Sequence, residues 1–159
     1  MTARMLTAFA LALACALPLV ADDKKEKDAA PVSGKFVSNG KEAKVAFASA
    51  MADDQKKDYT VLLFTEKEHA TQKSPRTAAI FNKCGSALVI TVDGKGKVVG
   101  CEVAHEGNKK GMFNDIGRVE VKDFKSADGV VSGKLTSKGE LETFGDKWEL
   151  DVTFTVKKP

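Results

Sequence analysis

Two histidines are the side chains in this sequence best suited to acid–base chemistry near neutral pH, and carboxylates lie close to both in the chain. Imidazole also binds zinc, together with further histidine, cysteine or carboxylate ligands. Neither histidine has a second histidine at a recognised metal-ligand spacing. A hydrolase that uses one histidine and an acid is therefore the least favoured of three functional hypotheses, and no metal site is predicted. The residues concerned are His69 and His105, with Glu66, Glu68, Glu102 and Glu106.

Other sequence motifs that carry chemistry are missing. No Gly-x-Ser-x-Gly nucleophile elbow occurs. The glycine-rich segment Asp93–Lys97 lacks the phosphate-loop spacing and lies between two predicted strands, which is typical of a hairpin turn. Asp53, Asp54 and Asp58 do not follow the pattern of a calcium loop. We therefore predict no catalytic residue and no bound cofactor.

The first 21 residues have the composition of a secretory signal peptide. Arg4 precedes an apolar run, Met5–Val20, that is shorter than the roughly 20 residues a transmembrane helix needs. We predict cleavage after about Ala21 and a secreted or periplasmic protein with no stable membrane span. An uncleaved membrane anchor and a lipid anchor on Cys15 are less favoured alternatives.

Signal cleavage leaves two cysteines, Cys84 and Cys101. Because exported compartments allow thiols to stay oxidised, we predict a disulfide between them. The loop that it closes is short, and loop entropy gives a stabilisation of about 3 kcal/mol. Two buried free thiols are the alternative.

The predicted mature chain is almost neutral. Without residues 1–21 it carries 24 Lys and Arg against 22 Asp and Glu, a net charge of +2. Acids are interspersed with the lysines, so nucleic-acid binding is not expected. Asp22–Pro31 is charged and lacks large apolar residues, which predicts a flexible linker before a single domain over residues 32–159.

From Val32 onward, short apolar runs and turn signals indicate β-strands. In Trp148–Val156, apolar and polar side chains alternate, so one face packs on a core and the other meets water. Tyr59–Thr65 is a short apolar run that predicts a central strand buried on both faces. Asn39-Gly40 indicates a tight hairpin turn. Further strands are predicted over Lys35–Ser38, Lys44–Met51, Ala87–Val92, Lys97–Val103, Ile116–Phe124, Val130–Ser137 and Leu141–Phe144.

One helix is predicted over Arg76–Cys84. Ser74-Pro75 provides a favourable N-terminus and Gly85 a favourable end. In the hairpin that follows, pairing Val92 with Lys97 places Leu88 opposite Cys101. That register gives a shared inward face of Leu88, Ile90, Val92, Val99, Cys101 and Val103.

Eight or nine short strands at turn spacings of about ten residues predict an all-β fold, either an antiparallel sandwich or a small barrel, with one short accessory helix. The chain also contains a near-repeat. Val32–Gly40 and Val131–Gly139 are identical at six of nine positions. A duplication and convergence on one strand-and-turn solution are both open.

The chain resembles small exported bacterial β-domain proteins of unassigned function. The resemblance covers about Val32 to Val156 and implies no catalytic residues. It is carried by Ser33–Phe36 with Asn39–Lys41, Ala46–Ala50, Val61–Phe64, Val131–Leu135 and Trp148 with Asp151–Phe154.

The favoured functional hypothesis is an exported, non-enzymatic binding or protein-interaction domain of the cell envelope. The loops Ala52–Asp58, Glu66–Ser74 and Ala104–Asp115 are expected to carry its contacts, since β scaffolds present function on loops. A small barrel that carries an apolar ligand is the alternative, and a hydrolase using His69 or His105 is third. The expected partner is thus a protein or a small apolar ligand.

Overall fold

The computed structural model describes residues 32–158. The predicted signal peptide, Met1–Ala21, and the predicted linker, Asp22–Pro31, lie outside these residues. Within them the chain forms eleven strands and one helix. In chain order these are β1 Val32–Ser38, β2 Lys41–Ala43, β3 Phe47–Ala52, β4 Thr60–Thr65, α1 Pro75–Ile80, β5 Ala87–Val92, β6 Val98–Ala104, β7 Phe113–Asn114, β8 Glu120–Ala127, β9 Val130–Thr136, β10 Leu141–Thr143 and β11 Asp146–Lys157.

Two antiparallel sheets pack into a sandwich. The first sheet has the order β2-β1-β11-β9-β8, with β10 also paired to β11, and the second has the order β3-β4-β5-β6-β7. The predicted all-β class is confirmed, and the sandwich is the architecture observed. The strand count exceeds the prediction because the short strands β2 and β7 were not anticipated.

β11 forms the centre of the first sheet, between β1 and β9. Its alternation is the predicted one, with every second side chain buried between the sheets. Phe154 meets Phe64 of β4 edge to face, with ring centroids 5.4 Å apart, a favoured geometry for aromatic pairs. This contact joins the two sheets. The buried side chains of β11 are Trp148, Leu150, Val152, Phe154 and Val156.

The two near-repeat segments form β1 and β9, which flank β11 on opposite sides. Gly34 pairs with Val152 and Gly133 pairs with Phe154. At Gly34 φ is +134°, and a Cβ would lie 2.1 Å from the Asp151 carbonyl oxygen. Both copies of the Ser-Gly-Lys sequence lie beside β11, two residues apart along it, and at Gly34 glycine permits close approach of the β11 backbone.

The second sheet is covered on both faces. Its inner face packs against the first sheet through residues such as Leu62 and Phe64. Its outer face carries Val61 and Leu63, which form a smaller apolar cluster with Ala79 of α1. All six residues of β4 are buried, as predicted for a central strand.

The helix is shorter than predicted. It ends at Ile80 instead of continuing to Cys84. Asn82 has a φ of 55°, which lies in the left-handed region and is incompatible with continuing a right-handed helix. Ser74 occupies the N-cap position, as expected, although its side chain makes no capping hydrogen bond.

The predicted register of the β5–β6 hairpin is wrong. Val92 pairs with Val98, Ile90 with Cys101 and Leu88 with Val103, and the register shifts between Thr91 and Val92. An irregularity at this point adds a residue on the β6 side, as in a β-bulge. Val98 is therefore buried in the inner core instead of the predicted Val99.

Candidate functional site

A cavity of about 410 Å³ lies at one end of the sandwich. It is formed by the loop after β6 and by the turn that joins β10 to β11. Its walls combine apolar side chains with one ammonium and one carboxylate group. We call it the end pocket, and it is lined by Lys110, Gly111, Met112, Phe113, Asn114, Phe144 and Asp146.

Hydrogen bonds fix the loop side of the end pocket. Asn108 Nδ2 donates to the carbonyl oxygens of Gly111, at 2.9 Å, and Val103, at 3.3 Å. Phe113 pairs with Val103, and its ring meets that of Trp148 at 5.7 Å between centroids. One wall of the pocket is thus anchored to the hydrophobic core.

Phe144 and Gly145 form the turn side of the pocket. Thr143 pairs with Asp146 across this two-residue turn, and both turn residues have positive φ, 53° and 84°. Such turns favour Asn-Gly, because a left-handed conformation costs other residues about 1–2 kcal/mol. The Phe144 residue is 72% exposed. Its ring therefore gains little from burial to offset the backbone cost.

Asp146 is buried beside this turn, with 1% of its surface exposed. Its Oδ1 accepts hydrogen bonds from Asn39 Nδ2 at 2.7 Å and from the Lys109 backbone N–H at 3.0 Å. Within residues 32–158, its Oδ2 has no hydrogen-bond partner. Burial acts to raise the pKa of Asp146, but these donors and the charges of Lys109 and Lys110 outweigh it and lower the pKa. The carboxylate is therefore ionised at neutral pH with one oxygen unsatisfied.

A second buried aspartate lies at the same end of the sandwich, and both of its carboxylate oxygens accept hydrogen bonds. Asp115 accepts two hydrogen bonds from the guanidinium of Arg118 and one from Thr143 Oγ1. Thr143 Oγ1 in turn accepts the indole N–H of Trp148 at 3.0 Å. This network ties the loop after β7 to the hairpin of the end pocket.

His69 lies on the outer face of the second sheet, where it is 4% exposed. Its Nε2 lies 2.8 Å from Ser49 Oγ, and its Nδ1 lies 2.7 Å from Thr65 Oγ1. Burial lowers the pKa of His69, against the opposing charge of Glu68. The sequence reasoning missed Ser49 and Thr65, because neighbouring strands bring them to a histidine outside both strands.

His105 directly follows β6 and contacts Phe36 of the inner core, whereas His69 lies on the outer face of the second sheet. His105 also binds the loop that follows β6. Its Nδ1 accepts the Gly107 backbone N–H at 2.8 Å, and its ring packs edge to face on Phe36 at 4.7 Å. Burial lowers the pKa of His105, with the nearby Glu66 opposing the shift. The structure therefore does not bring the two predicted histidines into one site.

Three of the four carboxylates predicted near the histidines pair with other groups of the chain. Glu66 accepts the backbone N–H of Ser86 at 2.6 Å. Glu102 pairs with Arg76 and Glu106 with Lys41. Among residues 32–158, no group of three or more histidine, cysteine, aspartate or glutamate side chains is arranged to hold a metal ion.

The predicted disulfide is not formed. Cys84 and Cys101 are separate buried thiols, too far apart for a disulfide. Cys101 points into the core between the sheets, whereas Cys84 follows α1, which packs on the outer face. Burial raises the pKa of Cys101 to about 12 and also raises the pKa of Cys84. Both thiols are therefore poor nucleophiles at neutral pH.

No protein-family model matches the chain, and comparisons with curated proteins and with solved structures gave no match. No helix within residues 32–158 has the length and hydropathy to cross a membrane. The site must therefore be interpreted from its own geometry. Two separate arrangements carry chemistry: the end pocket and the hydrogen-bonded chain through His69.

Proposed function

We propose that this chain is an exported protein-interaction domain that binds its partner through the end pocket. The observation that carries the proposal is the juxtaposition of an exposed Phe144, held at positive φ, with a buried Asp146 that has an unpartnered oxygen. Both features cost stability in the isolated domain. A partner that covers the ring and donates to the carboxylate would recover both costs.

The chemistry of the pocket indicates the kind of group it binds. Met112, Phe113 and Phe144 offer apolar contact, and Asp146 offers a hydrogen-bond acceptor. Lys110 lines the same pocket, so recognition rests on hydrogen bonding more than on net charge. The favoured occupant is a partner side chain with an apolar body and an N–H donor at its head.

Two large apolar residues in and just after the loop side of the pocket are exposed. Met112 is 39% exposed, and Ile116, which follows the engaged Asp115, is 63% exposed. Large exposed apolar side chains grouped at one place are typical of interaction surfaces. The end pocket also uses Ala104–Asp115, one of the three loops expected to carry contacts.

The filling of the interior favours an interaction domain over a carrier of apolar ligands. Large side chains occupy the space between the sheets, among them Phe36, Phe64, Trp148 and Phe154. A lipocalin-like carrier needs an interior cavity for its ligand. Displacement of a fluorescent fatty acid at micromolar concentration would support the carrier hypothesis instead.

NMR titration with two matched small molecules tests the proposal. The probe is 3-phenylpropanamide, which has an apolar body and an N–H donor. The control is methyl 3-phenylpropanoate, which has the same body and no donor. We expect the amide to bind with a Kd on the order of millimolar, as is usual for a molecule of this size, and to shift the backbone amides of Gly111, Asn114 and Gly145.

The comparison between the two molecules gives the decisive result. We expect the ester to bind about tenfold more weakly, since it leaves Asp146 unsatisfied. Equal binding of the two molecules, or shifts confined to residues outside the end pocket, would contradict the proposal.

A further inference from the structure

Three side chains, outside the end pocket, form a continuous hydrogen-bonded chain on the outer face of the second sheet. Thr65 Oγ1 lies 2.7 Å from the carbonyl oxygen of Lys67. A carbonyl only accepts, so the single proton of the threonine hydroxyl is directed there. Thr65 Oγ1 must then accept from His69 Nδ1, at 2.7 Å. The neutral imidazole therefore carries its proton on Nδ1.

This tautomer leaves Nε2 of His69 as an acceptor. Ser49 Oγ lies 2.8 Å from it, so the serine hydroxyl donates to the ring. A serine that donates to a histidine, whose other nitrogen is held by a third group, is the arrangement of an activated nucleophile. Burial lowers the pKa of His69, and a neutral ring is the form that can take up a proton.

We propose that Ser49 is a nucleophile for acyl transfer, with His69 as its general base and Thr65 as the residue that positions the imidazole. Ser49 is half-buried and lies on β3, at the edge of the second sheet. Access from the edge therefore does not require opening of the core. This activity is independent of the binding proposed for the end pocket.

The edge position of β3 also supplies a donor for the charge that develops on the substrate. The Asp53 N–H donates to the Tyr59 carbonyl at 3.2 Å, which shows that the Asp53 amide faces β4. Because amides alternate in direction along a strand, the amide of Ala50 faces the open edge. Ala50 directly follows Ser49, the position that contributes an oxyanion donor in serine hydrolases.

The neighbours of Ser49 indicate the substrate class. Phe47 and Met51 lie two residues before and after it, so their side chains share its face of the strand. Phe47 is 38% exposed, and Met51 packs against the outer apolar cluster. An ester with a small apolar acyl group fits these surroundings.

The reaction needs no group beyond these residues and water. Ser49 Oγ bonds to the ester carbonyl carbon, and its proton moves to His69 Nε2. The tetrahedral intermediate then expels the alcohol, which takes that proton, and leaves an acyl group on Ser49. Water then adds to the acyl carbon and gives a proton to His69 Nε2. The second tetrahedral intermediate breaks its bond to Ser49 Oγ, which takes that proton back, and the carboxylic acid leaves. The two steps together return the protein to its starting state.

Labelling with an alkyl fluorophosphonate tests the proposal on the wild-type protein. This reagent phosphonylates activated serines with loss of fluoride, and peptide mass mapping locates the label. We expect one label, on Ser49, together with hydrolysis of p-nitrophenyl butyrate. Absence of label from Ser49 in the folded wild-type protein would overturn the proposal without any variant.

Four variants divide the roles, with thermal melts to verify that each is folded. Ser49→Ala should abolish labelling, and His69→Gln should slow it about 100-fold, the contribution typical of a general base. Thr65→Val removes the hydroxyl and should slow labelling, whereas Thr65→Ser keeps the hydroxyl and should retain labelling. If only the methyl group of Thr65 mattered, the two variants would behave in the opposite order. Labelling of His69→Gln at the wild-type rate would overturn the proposal. Ser126→Ala, at an exposed serine, is the matched control and should label normally.

Discussion

Asp115 and Asp146 are both buried at the same end of the sandwich, yet their hydrogen bonding differs. Asp115 receives the guanidinium of Arg118 and the hydroxyl of Thr143. Asp146 receives two donors on one oxygen and none from residues 32–158 on the other. Buried polar groups in folded proteins are generally paired, so this carboxylate needs an explanation, as does His105 Nε2, which also has no partner among residues 32–158.

The difference separates a structural aspartate from a binding one. Asp115 belongs to a closed network that reaches Trp148 in the core through Thr143. Asp146 lies two residues after the exposed Phe144, and both residues line the end pocket. We interpret the first as a residue that stabilises the domain and the second as a residue whose remaining hydrogen bond is supplied by a partner.

The largest expected effect on stability comes from Asp115→Asn. This change replaces an acceptor with a donor facing Arg118 and Thr143, and we expect the free energy of unfolding to fall by about 2–3 kcal/mol. The loss should stay below that of a fully buried ion pair, because water can solvate the 42% exposed Arg118 side chain. Urea denaturation measures it. Asp146→Asn is the matched control, and an equal loss in both variants would remove the distinction between the two aspartates.

Thr143→Val should have the next largest effect. The valine keeps the shape of the side chain but removes the acceptor of the Trp148 indole N–H and a donor to Asp115. Because Trp148 is 1% exposed, its N–H is left without a partner, at a cost of about 1–2 kcal/mol. Thr143→Ser, which keeps the hydroxyl, should lose less. If urea denaturation shows Thr143→Val to be more stable than Thr143→Ser, the proposed role of the hydrogen-bond network is contradicted.

Phe144→Asn should increase stability. Asparagine tolerates positive φ, and Asn-Gly is the preferred pair for this turn. We expect a gain of about 1 kcal/mol in the free energy of unfolding, together with weaker binding of 3-phenylpropanamide to the end pocket. Phe144→Leu keeps an unfavourable residue in the turn and should show no gain. A loss of stability in Phe144→Asn would mean that the ring supports the fold.

The smallest expected effect is on the pH dependence of the free energy of unfolding, which should differ between wild type and Asp146→Asn. The pKa of Asp146 is lower in the folded protein than its ordinary value of 3.8. Ionised Asp146 therefore stabilises the fold above about pH 3.8, and this stabilisation disappears as the pH falls through the lower folded pKa. The difference in unfolding free energy between the two proteins should be constant from pH 7 to pH 5 and should change below pH 4. A change confined to pH 5–7 would contradict this assignment.

The sequence predicted those parts of the fold that depend on local pattern. The alternation of Trp148–Val156 identified β11, and the apolar run of Tyr59–Thr65 identified a strand buried on both faces. Asn39-Gly40 predicted a tight turn after the first strand, which is observed with Ser38 paired to Lys41. The strand expected to follow it, Lys44–Met51, is not its partner; the short β2 is. In each case a few consecutive residues determine the structure.

The parts that were missed depend on contacts between distant segments. The irregularity after Thr91 changed the β5–β6 register. It was not visible in the apolar pattern, because Val98 and Val99 are equivalent in hydrophobicity. The predicted disulfide failed for a related reason, since α1 and the following residues lie on the outer face while Cys101 points inward.

The end pocket was only partly predictable. The loop Ala104–Asp115 was expected to carry contacts, but Asp146 becomes a site residue through donors from Asn39 and Lys109, far away in the chain. One feature of the sequence could have indicated this site. Phe144-Gly145 stands between β10 and β11. A turn with positive φ favours asparagine there, and an exposed aromatic residue in that place is unexpected.

The most direct test of the central claim is the selectivity of the end pocket in wild type and in Asp146→Asn. Binding of 3-phenylpropanamide and of methyl 3-phenylpropanoate is measured by NMR titration with both proteins. Wild type should prefer the amide by about tenfold, equivalent to about 1.4 kcal/mol. In Asp146→Asn the new amide can donate to an ester carbonyl, so the ratio should fall to about one. An unchanged preference in the variant would contradict the assignment of Asp146 as the acceptor that recognises the partner.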